Sequence, residues 1–396
     1  MSLRKPLPGT RAQTSPLLEA CWSPVDRIGP VQPGTRTSSA CDGVASRCAP
    51  APAKTEGPVA LPDWVRGELR TAAGSVPRVA TRLGLRDRLG SWKARWGIGR
   101  MDFKVPPGLY GTGNPGPESP VLVTANYKMS FDCVRRALDG LNAWILVLET
   151  NGVNVWCAAG KGTFGTRELV SRIAAVKLPV VVSHRSLVVP QLGAPGIAAH
   201  DVRQQSGFTV RWGPVRAEDI SAYLAAGRAS EAMRIVNFTL MDRLVLTPME
   251  LTSLKDPTIK LAALLFLPQL LGWLTLKPAD LWPFLGACLS GAVLAPVLLP
   301  WIPGRAFALK GWLLGLAWSL AVILVRGLEL KAGSLFTASA YVLILPAMTS
   351  YLTLNFTGAS TYTSLSGVIR ETKAWVSPLK FSLAAGLSLW ALGRFL

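Results

Sequence analysis

An α/β domain on a mostly parallel sheet, followed by an all-helical transmembrane domain of five spans, is the fold this sequence predicts. Three observations predict it. Between Met101 and Lys255, short apolar runs alternate with amphipathic stretches, the pattern of strands joined by crossover helices. Beyond Lys260, five long apolar runs follow with almost no internal charge, most of them near the ~20 residues that cross a bilayer as a helix. The 396-residue chain is also 49% hydrophobic and only 16% charged, with a mean hydropathy of +0.32, too apolar for an ordinary soluble protein.

The net charge of +19 suits either nucleic acid or an anionic membrane face. The sequence holds no zinc-finger spacing, no glycine-aromatic RNA-binding signature and no heptad-linked basic region, so no nucleic acid partner is expected and the membrane is the better reading. The cysteines Cys21, Cys41, Cys48, Cys133, Cys157 and Cys288 form no CxxC pair. They fit a reducing compartment rather than a disulfide scaffold.

Residues 1–95 are a Pro-, Gly- and Arg-rich extension without a sustained period. Too little apolar surface is available there to offset ordering entropy, and disorder is expected. No apolar run in it is long enough for a secretory signal peptide. Near its end, residues 83–96 read as a basic helix with Arg86, Arg88, Lys93 and Arg95, presenting a solvated or membrane-surface face.

The α/β domain covers residues 97–255. Strands are expected at 121–125, 144–150, 178–183 and 208–212, and helices at 130–141, 155–161, 166–176, 194–205 and 217–226. The transmembrane domain covers residues 256–396, with spans near 261–276, 281–301, 311–325, 335–354 and 379–396. The first and third are short, and Lys260 or Lys310 would snorkel to extend them. Trp273, Trp282, Trp301, Trp312 and Trp375 lie near span ends, as an interfacial belt requires. With the α/β domain inside the cell, Lys255, Lys260, Arg305, Lys310, Arg370, Lys373 and Lys380 face the cytoplasm, against Lys277, Arg326, Lys331 and Arg394 outside. That bias has the sign of the positive-inside rule. It places a polar loop, residues 355–377, on the cytoplasmic side, where it is expected to dock on the α/β domain.

One stretch carries the chemistry. After the strand at 144–150 and the link Asn151-Gly152-Val153 comes Asn154-Val155-Trp156-Cys157-Ala158-Ala159-Gly160-Lys161, then Gly162-Thr163-Phe164-Gly165. Asn154 is a helix N-cap, and Cys157 falls in the first turn, where free N–H groups and the helix dipole favour thiolate. Lys161 adds a positive charge one turn on. The residues alone leave two readings open: Cys157 is a metal ligand, or it is a small buried hydrophobe. No second Cys or His lies within a few residues, so a one-cysteine metal site needs a cofactor that brings the other ligands.

The stretch 154–165 resembles the cap-helix motif of the HgcA family, the corrinoid proteins of microbial mercury methylation. That family is related to the large subunit of the corrinoid iron–sulfur protein of the acetyl-CoA pathway. The resemblance extends through residues 101–110, Val121-Leu122-Val123-Thr124-Ala125-Asn126-Tyr127-Lys128, Pro190-Gln191-Leu192-Gly193-Ala194-Pro195-Gly196, and the polar run 355–367.

The resemblance implies a Rossmann-like corrinoid-binding domain and a cobalamin-type corrinoid as cofactor. Cys157 would be the axial ligand to cobalt and the catalytic residue, with Asn154, Val155, Trp156, Cys157, Ala158, Ala159, Gly160, Lys161, Gly162 and Thr163 around the ring. The usual Asp-x-His-x-x-Gly histidine ligand is missing, since neither His184 nor His200 has that context. A thiolate donates strongly, by analogy with thiolate-bound haem. It would favour release of a carbanion-like methyl group from methyl-cobalt to Hg(II), giving methylmercury.

Without CxxC spacing the chain builds no iron–sulfur cluster of its own, and a dicluster 4Fe–4S ferredoxin-like protein of the HgcB type is implied as electron donor. A methyl-folate, acting through a methyltransferase, is implied as methyl source. The location implied is the cytoplasmic membrane, multi-pass, with the corrinoid domain in the cytoplasm. Two other functions remain open: a corrinoid methyl carrier for an acetyl-CoA-pathway-type complex or another acceptor, and a membrane scaffold or transporter with a ligand-sensing α/β domain. Transport is disfavoured, because the spans carry almost no charge near midplane.

Overall fold

The computed structural model describes residues 62–254, 278–327, 332–360 and 365–395. Seven strands form one sheet: β1 (Val65–Thr71), β2 (Gly74–Val79), β3 (Gly108–Thr112), β4 (Val121–Ala125), β5 (Ala143–Leu148), β6 (Ser186–Pro190) and β7 (Thr209–Gly213). Their order is β1-β2-β3-β5-β4-β6-β7. β5, β4, β6 and β7 run parallel, whereas β3 is antiparallel to β5. β4 and β5 are buried along their whole length, which is why both read as continuous apolar runs rather than alternating ones. The chain leaves β4 for β5 on one side and returns to β6 on the other, so the strand order reverses at β4/β6, where open α/β sheets bind ligands.

The expected alternation is present, with two displacements. Residues 178–183, expected as a strand, open with the helical turn Leu178–Val181, and the strand comes later, at β6. Pro179 has no N–H to give a ladder, and Lys177 before it adopts a left-handed φ of 50°. The helix expected at 194–205 divides into a 3-10 turn, Gln191–Gly196, and the helix Ala199–Ser206.

The extension expected to be disordered to residue 95 is ordered from residue 62; its earlier part lies outside the described residues. β1 and β2 form a hairpin, and β2 adds to β3. The expected basic helix follows at Leu85–Arg95. A buried ion network holds this segment. Lys128 Nζ lies 2.7 Å from Asp87 and 2.6 Å from Asp132, and Arg135 lies 2.7 Å from both carboxylates. Arg135, fully buried, also donates to the Ala80 carbonyl at 2.6 Å. Composition gave no sign of it because Asp87 and Ala80 lie 41 to 55 residues from the Lys128 and Arg135 that hold them.

Among the described residues, four helices are long and apolar enough to cross a membrane: Asp280–Leu298, Phe307–Arg326, Gly333–Gly358 and Ser366–Gly393. The further span expected at 261–276 lies outside the described residues. The third span is central, and small residues let its neighbours approach closely. A methyl on Gly315 would fall 2.5 Å from Pro346 Cα, and one on Gly311 2.7 Å from Ser350 Cα. Ser350 donates to the Ala308 carbonyl at 2.7 Å, and Thr349 to Ala287 at 3.2 Å. Lys310, expected to snorkel, is buried and donates instead to the Leu299 and Ile302 carbonyls after the first span.

The polar loop expected over 355–377 is largely helix, since the last helix begins at Leu365. Its carboxylate Glu371 accepts the Ala308 N–H at 2.8 Å, satisfying a free donor at the start of the second span. The contact that Phe356 makes is with Phe238 (ring centroids 6.2 Å apart). Phe238 precedes the linker helix Leu240–Ser253, which joins the sheet domain to the spans. Thr361, Thr363 and Ser364 of the expected loop lie outside the described residues.

The ion network makes a prediction. Burial pushes the Asp87 carboxyl up, but hydrogen bonds from Lys128 and Arg135 outweigh it and hold the group below its ordinary 3.8. A depressed carboxylate stabilises the fold above its unfolded value and loses that contribution as pH falls through the folded value. Hydrogen-exchange protection across Val65–Arg95, measured against the intrinsic rate at each pH, should therefore be high at pH 7 and fall below pH 3.8. Asp87→Asn should cause the same release at neutral pH, costing about 3–5 kcal/mol as expected for a broken buried pair.

Candidate functional site

The link after β5 is built on one amide. Asn126, fully buried at the end of β4, accepts on Oδ1 from Thr150 N–H (3.1 Å), Thr150 Oγ1 (2.8 Å) and Gly152 N–H (3.0 Å). Its Nδ2 donates to Glu149 Oε1 at 2.7 Å, and Asn151 N–H donates to the same carboxylate oxygen. The Glu149 N–H donates to Glu168 Oε1 at 2.9 Å. The turn that follows places Asn151 and Gly152 at left-handed φ values of 56° and 72°.

The helix that this turn launches is Val155–Lys161, the bounds the sequence predicts. Asn154 Oδ1 accepts the Cys157 N–H at 2.9 Å, and Gly162 ends the helix at φ 79°. Thr163 is committed inward: its N–H donates to the Ala158 carbonyl at 3.0 Å, and its hydroxyl donates there too. Ala158 and Ala159 face the core cluster around Phe164. Their small size admits Gly196, where a methyl would fall 2.2 Å from the Phe164 carbonyl oxygen and 3.1 Å from Ala159 Cα. The 3-10 turn Gln191–Gly196 is thus the floor on which the cap helix rests. Gly160, Lys161 and Cys157 are exposed.

A cleft of about 350 Å³ opens beside the helix start. Asn154, Val155 and Trp156 form one wall, with Leu122–Thr124 of β4, Val188 and Pro190 of β6, and Gly213 of β7 behind them. Arg216 and Glu218 stand at another wall. The cleft lies at the β4/β6 reversal. Cys157 is not part of its lining but sits next to it on the exposed side of the cap helix.

The helix start does not by itself lower the thiol. Protein packed around the sulfur pushes the Cys157 pKa up, against the pull of Lys161, Arg100 and Asn154 toward thiolate. His184 is a satisfied structural histidine: Nε2 meets the Ser119 carbonyl at 2.9 Å and Nδ1 accepts the Ser186 N–H. Lys128 belongs to the ion network and Arg185 bonds the Val182 carbonyl. Sequence reasoning missed Asn126, Glu149 and Glu168 as supports of the site, since their partners lie 19 to 26 residues away.

Residues 99–224 match the family described as CdhD, CO dehydrogenase/acetyl-CoA synthase delta subunit. The chain is similar to the acetyl-CoA decarbonylase/synthase complex subunit gamma of Archaeoglobus fulgidus, with 32% identity over 127 residues. That overlap is 32% of this chain and 27% of the relative. The subunit gamma of Methanopyrus kandleri gives the same identity and coverage, and that of Methanocaldococcus jannaschii is 31% identical over 112 residues, 28% of this chain and 22% of the relative. The chain therefore spans about a quarter of the length of these curated relatives. The family match takes in β3 to β7 and the cap helix; the four candidate spans fall outside it.

Asn126→Leu should leave the Thr150 and Gly152 N–H groups without an acceptor, at ~1–3 kcal/mol for each that stays buried, while the Thr150 hydroxyl keeps the Val153 carbonyl at 2.7 Å. The expected outcome is faster exchange at the Gly152 and Cys157 amides while β4 and β5 remain protected. Unchanged exchange would show that the turn does not depend on Asn126.

Proposed function

We propose that the chain is a membrane-anchored corrinoid-dependent methyltransferase that passes a carbanion-like methyl group to Hg(II), giving methylmercury. The observation that carries this reading is the cap helix: the exposed Cys157 thiol, on a helical turn capped by Asn154, beside a cleft at the strand-order reversal that a second exposed thiol, Cys133, lines. The residues suit a cobalamin-type corrinoid. The cleft wall is mainly apolar and carries the flat Trp156, Gly160 faces open space, and Cys157 is accessible. The relatives are named as subunits of an acetyl-CoA decarbonylase/synthase complex, which supports corrinoid methyl-carrier chemistry and partner proteins for this chain.

A bound corrinoid would supply the cobalt chemistry of methyl transfer, and a strongly donating protein ligand would favour release of the methyl group with its electron pair. Cys157 would hold the cobalt, since a coordinating thiol loses its proton outright. Lys161 and Arg100 favour that thiolate, and Asn154 fixes the turn that carries it. Trp156, Val155 and Val188 give the cleft apolar lining. Hg(II), the substrate, is a soft acceptor that takes a methyl group with its electron pair. Electrons would come from the dicluster ferredoxin-like partner and the methyl group from a methyl-folate through a methyltransferase. The positive-inside count supports a cytoplasmic corrinoid domain.

A second reading, a methyl carrier for an acetyl-CoA-type complex, is favoured by the names of the relatives. The acceptor decides between them. Purified full chain loaded with methylcobalamin should form methylmercury from Hg(II). Cys157→Ala should lose more than about 100-fold, beyond the 10–100-fold typical of outer-shell partners. Cys157→His should still bind cobalamin yet transfer poorly. Wild-type transfer by the histidine variant would overturn the thiolate requirement, and transfer to other acceptors but never to mercury would favour the second reading.

A further inference from the structure

The basic helix Leu85–Arg95 has two opposite faces. Residues in an α-helix step by about 100°, so Asp87, Gly90 and Ala94 share one side. That side is spoken for: Asp87 joins the buried ion network, a methyl at Gly90 would meet the Phe103 ring at 2.5 Å, and Ala94 is fully buried. The opposite side carries Leu85, Leu89 and Trp92 in a stripe about 60° wide by the same geometry. These three are 78%, 58% and 57% exposed. The apolar surface continues through Trp96, whose ring lies 6.2 Å from Trp92, to the exposed Ile98.

Charge brackets the stripe. Arg86 and Lys93 lie along one edge and Arg88 and Arg95 along the other. Arg86 makes an exposed ion pair with Asp63; the one acid on the helix, Asp87, is turned inward. An apolar stripe between two basic edges is the surface of a helix lying in a membrane interface, with the basic stems reaching up to lipid phosphates.

The rest of the chain brings a bilayer within reach. Gly97, just after the helix, lies against Thr252 near the end of the linker helix. Arg243 of that linker helix donates to the Val297 carbonyl in the first candidate span and lies over the Trp301 ring. We propose that Leu85–Arg95 docks through Leu85, Leu89 and Trp92 into an anionic phospholipid surface, holding the sheet domain against the bilayer that the spans cross. The inference rests on those four helices being membrane spans.

The test uses the full chain in nanodiscs of phosphatidylcholine, with or without phosphatidylglycerol. The photoreactive residue benzoylphenylalanine replaces Leu89, or Leu285 in the first span, or the exposed Gln204 on the sheet domain. The position 89 protein should form lipid adducts several-fold above position 204 when phosphatidylglycerol is present. Those adducts should fall several-fold in phosphatidylcholine alone, or when Arg88, Lys93 and Arg95 are all changed to Glu. Adducts at 285 with none above background at 89, or crosslinks from 89 to a second copy of the chain, would overturn the docking. Equal labelling in both lipids would overturn the role of charge. Absence of adducts at 285 would overturn the span reading and the docking with it.

Discussion

A single buried amide governs the site. Asn126 cannot be reached by water, and its Oδ1 takes three donors from the segment that leads into the cap helix. A buried acceptor shared in this way is costly to disturb, because each donor left behind stays unsatisfied. The same residue pairs its backbone with Leu148 and Val105. The ends of β4 and β5 and the turn 149–152 are therefore one unit. The position of Cys157 follows from it: the turn fixes Asn154, and Asn154 fixes the first helical turn. From below, the close approach of Gly196 to Phe164 and Ala159 prevents the helix from settling inward.

The sheet domain and the spans are joined by polar groups with few alternatives. Arg216, on the cleft wall, reaches Asp242 at 2.6 Å and the Asn237 carbonyl at 2.7 Å. Asp242 also caps the linker helix through Thr239. The next residue, Arg243, is buried between Phe238, Val297 and Trp301. One helix end thus connects a cleft residue to the first span. The bundle itself relies on small residues and serine and threonine hydroxyls, because lipid supplies no hydrophobic force between helices.

What was legible in the sequence was local. The cap helix begins and ends where Asn154 and Gly162 say it should, since capping needs no distant partner. β4 and β5 were legible because burial on both faces leaves Thr124 as the one polar residue within them. β6 was not, because residues 178–182 and 186–190 are two apolar runs in succession and periodicity cannot rank them. The β1–β2 hairpin was hidden in an arginine-rich tract, although Val65, Gly67, Leu69 and Thr71 show period two before the turn at Gly74. At Cys157, neighbouring protein opposes the thiolate that the first-turn position favours, and that neighbourhood is not written in the local sequence. Asn126 looked like one more polar residue after a strand, and its role exists only once β5 lies beside β4.

The proposed function requires Cys157 to serve as a ligand of a corrinoid cobalt. X-ray absorption at the cobalt edge of the full chain loaded with cobalamin measures that bond directly. The native chain should show one sulfur scatterer in the cobalt coordination sphere, replaced by a light atom in Cys157→Ala. A coordination sphere of nitrogen and oxygen alone in the native chain, or a sulfur that persists in the alanine variant, would contradict it.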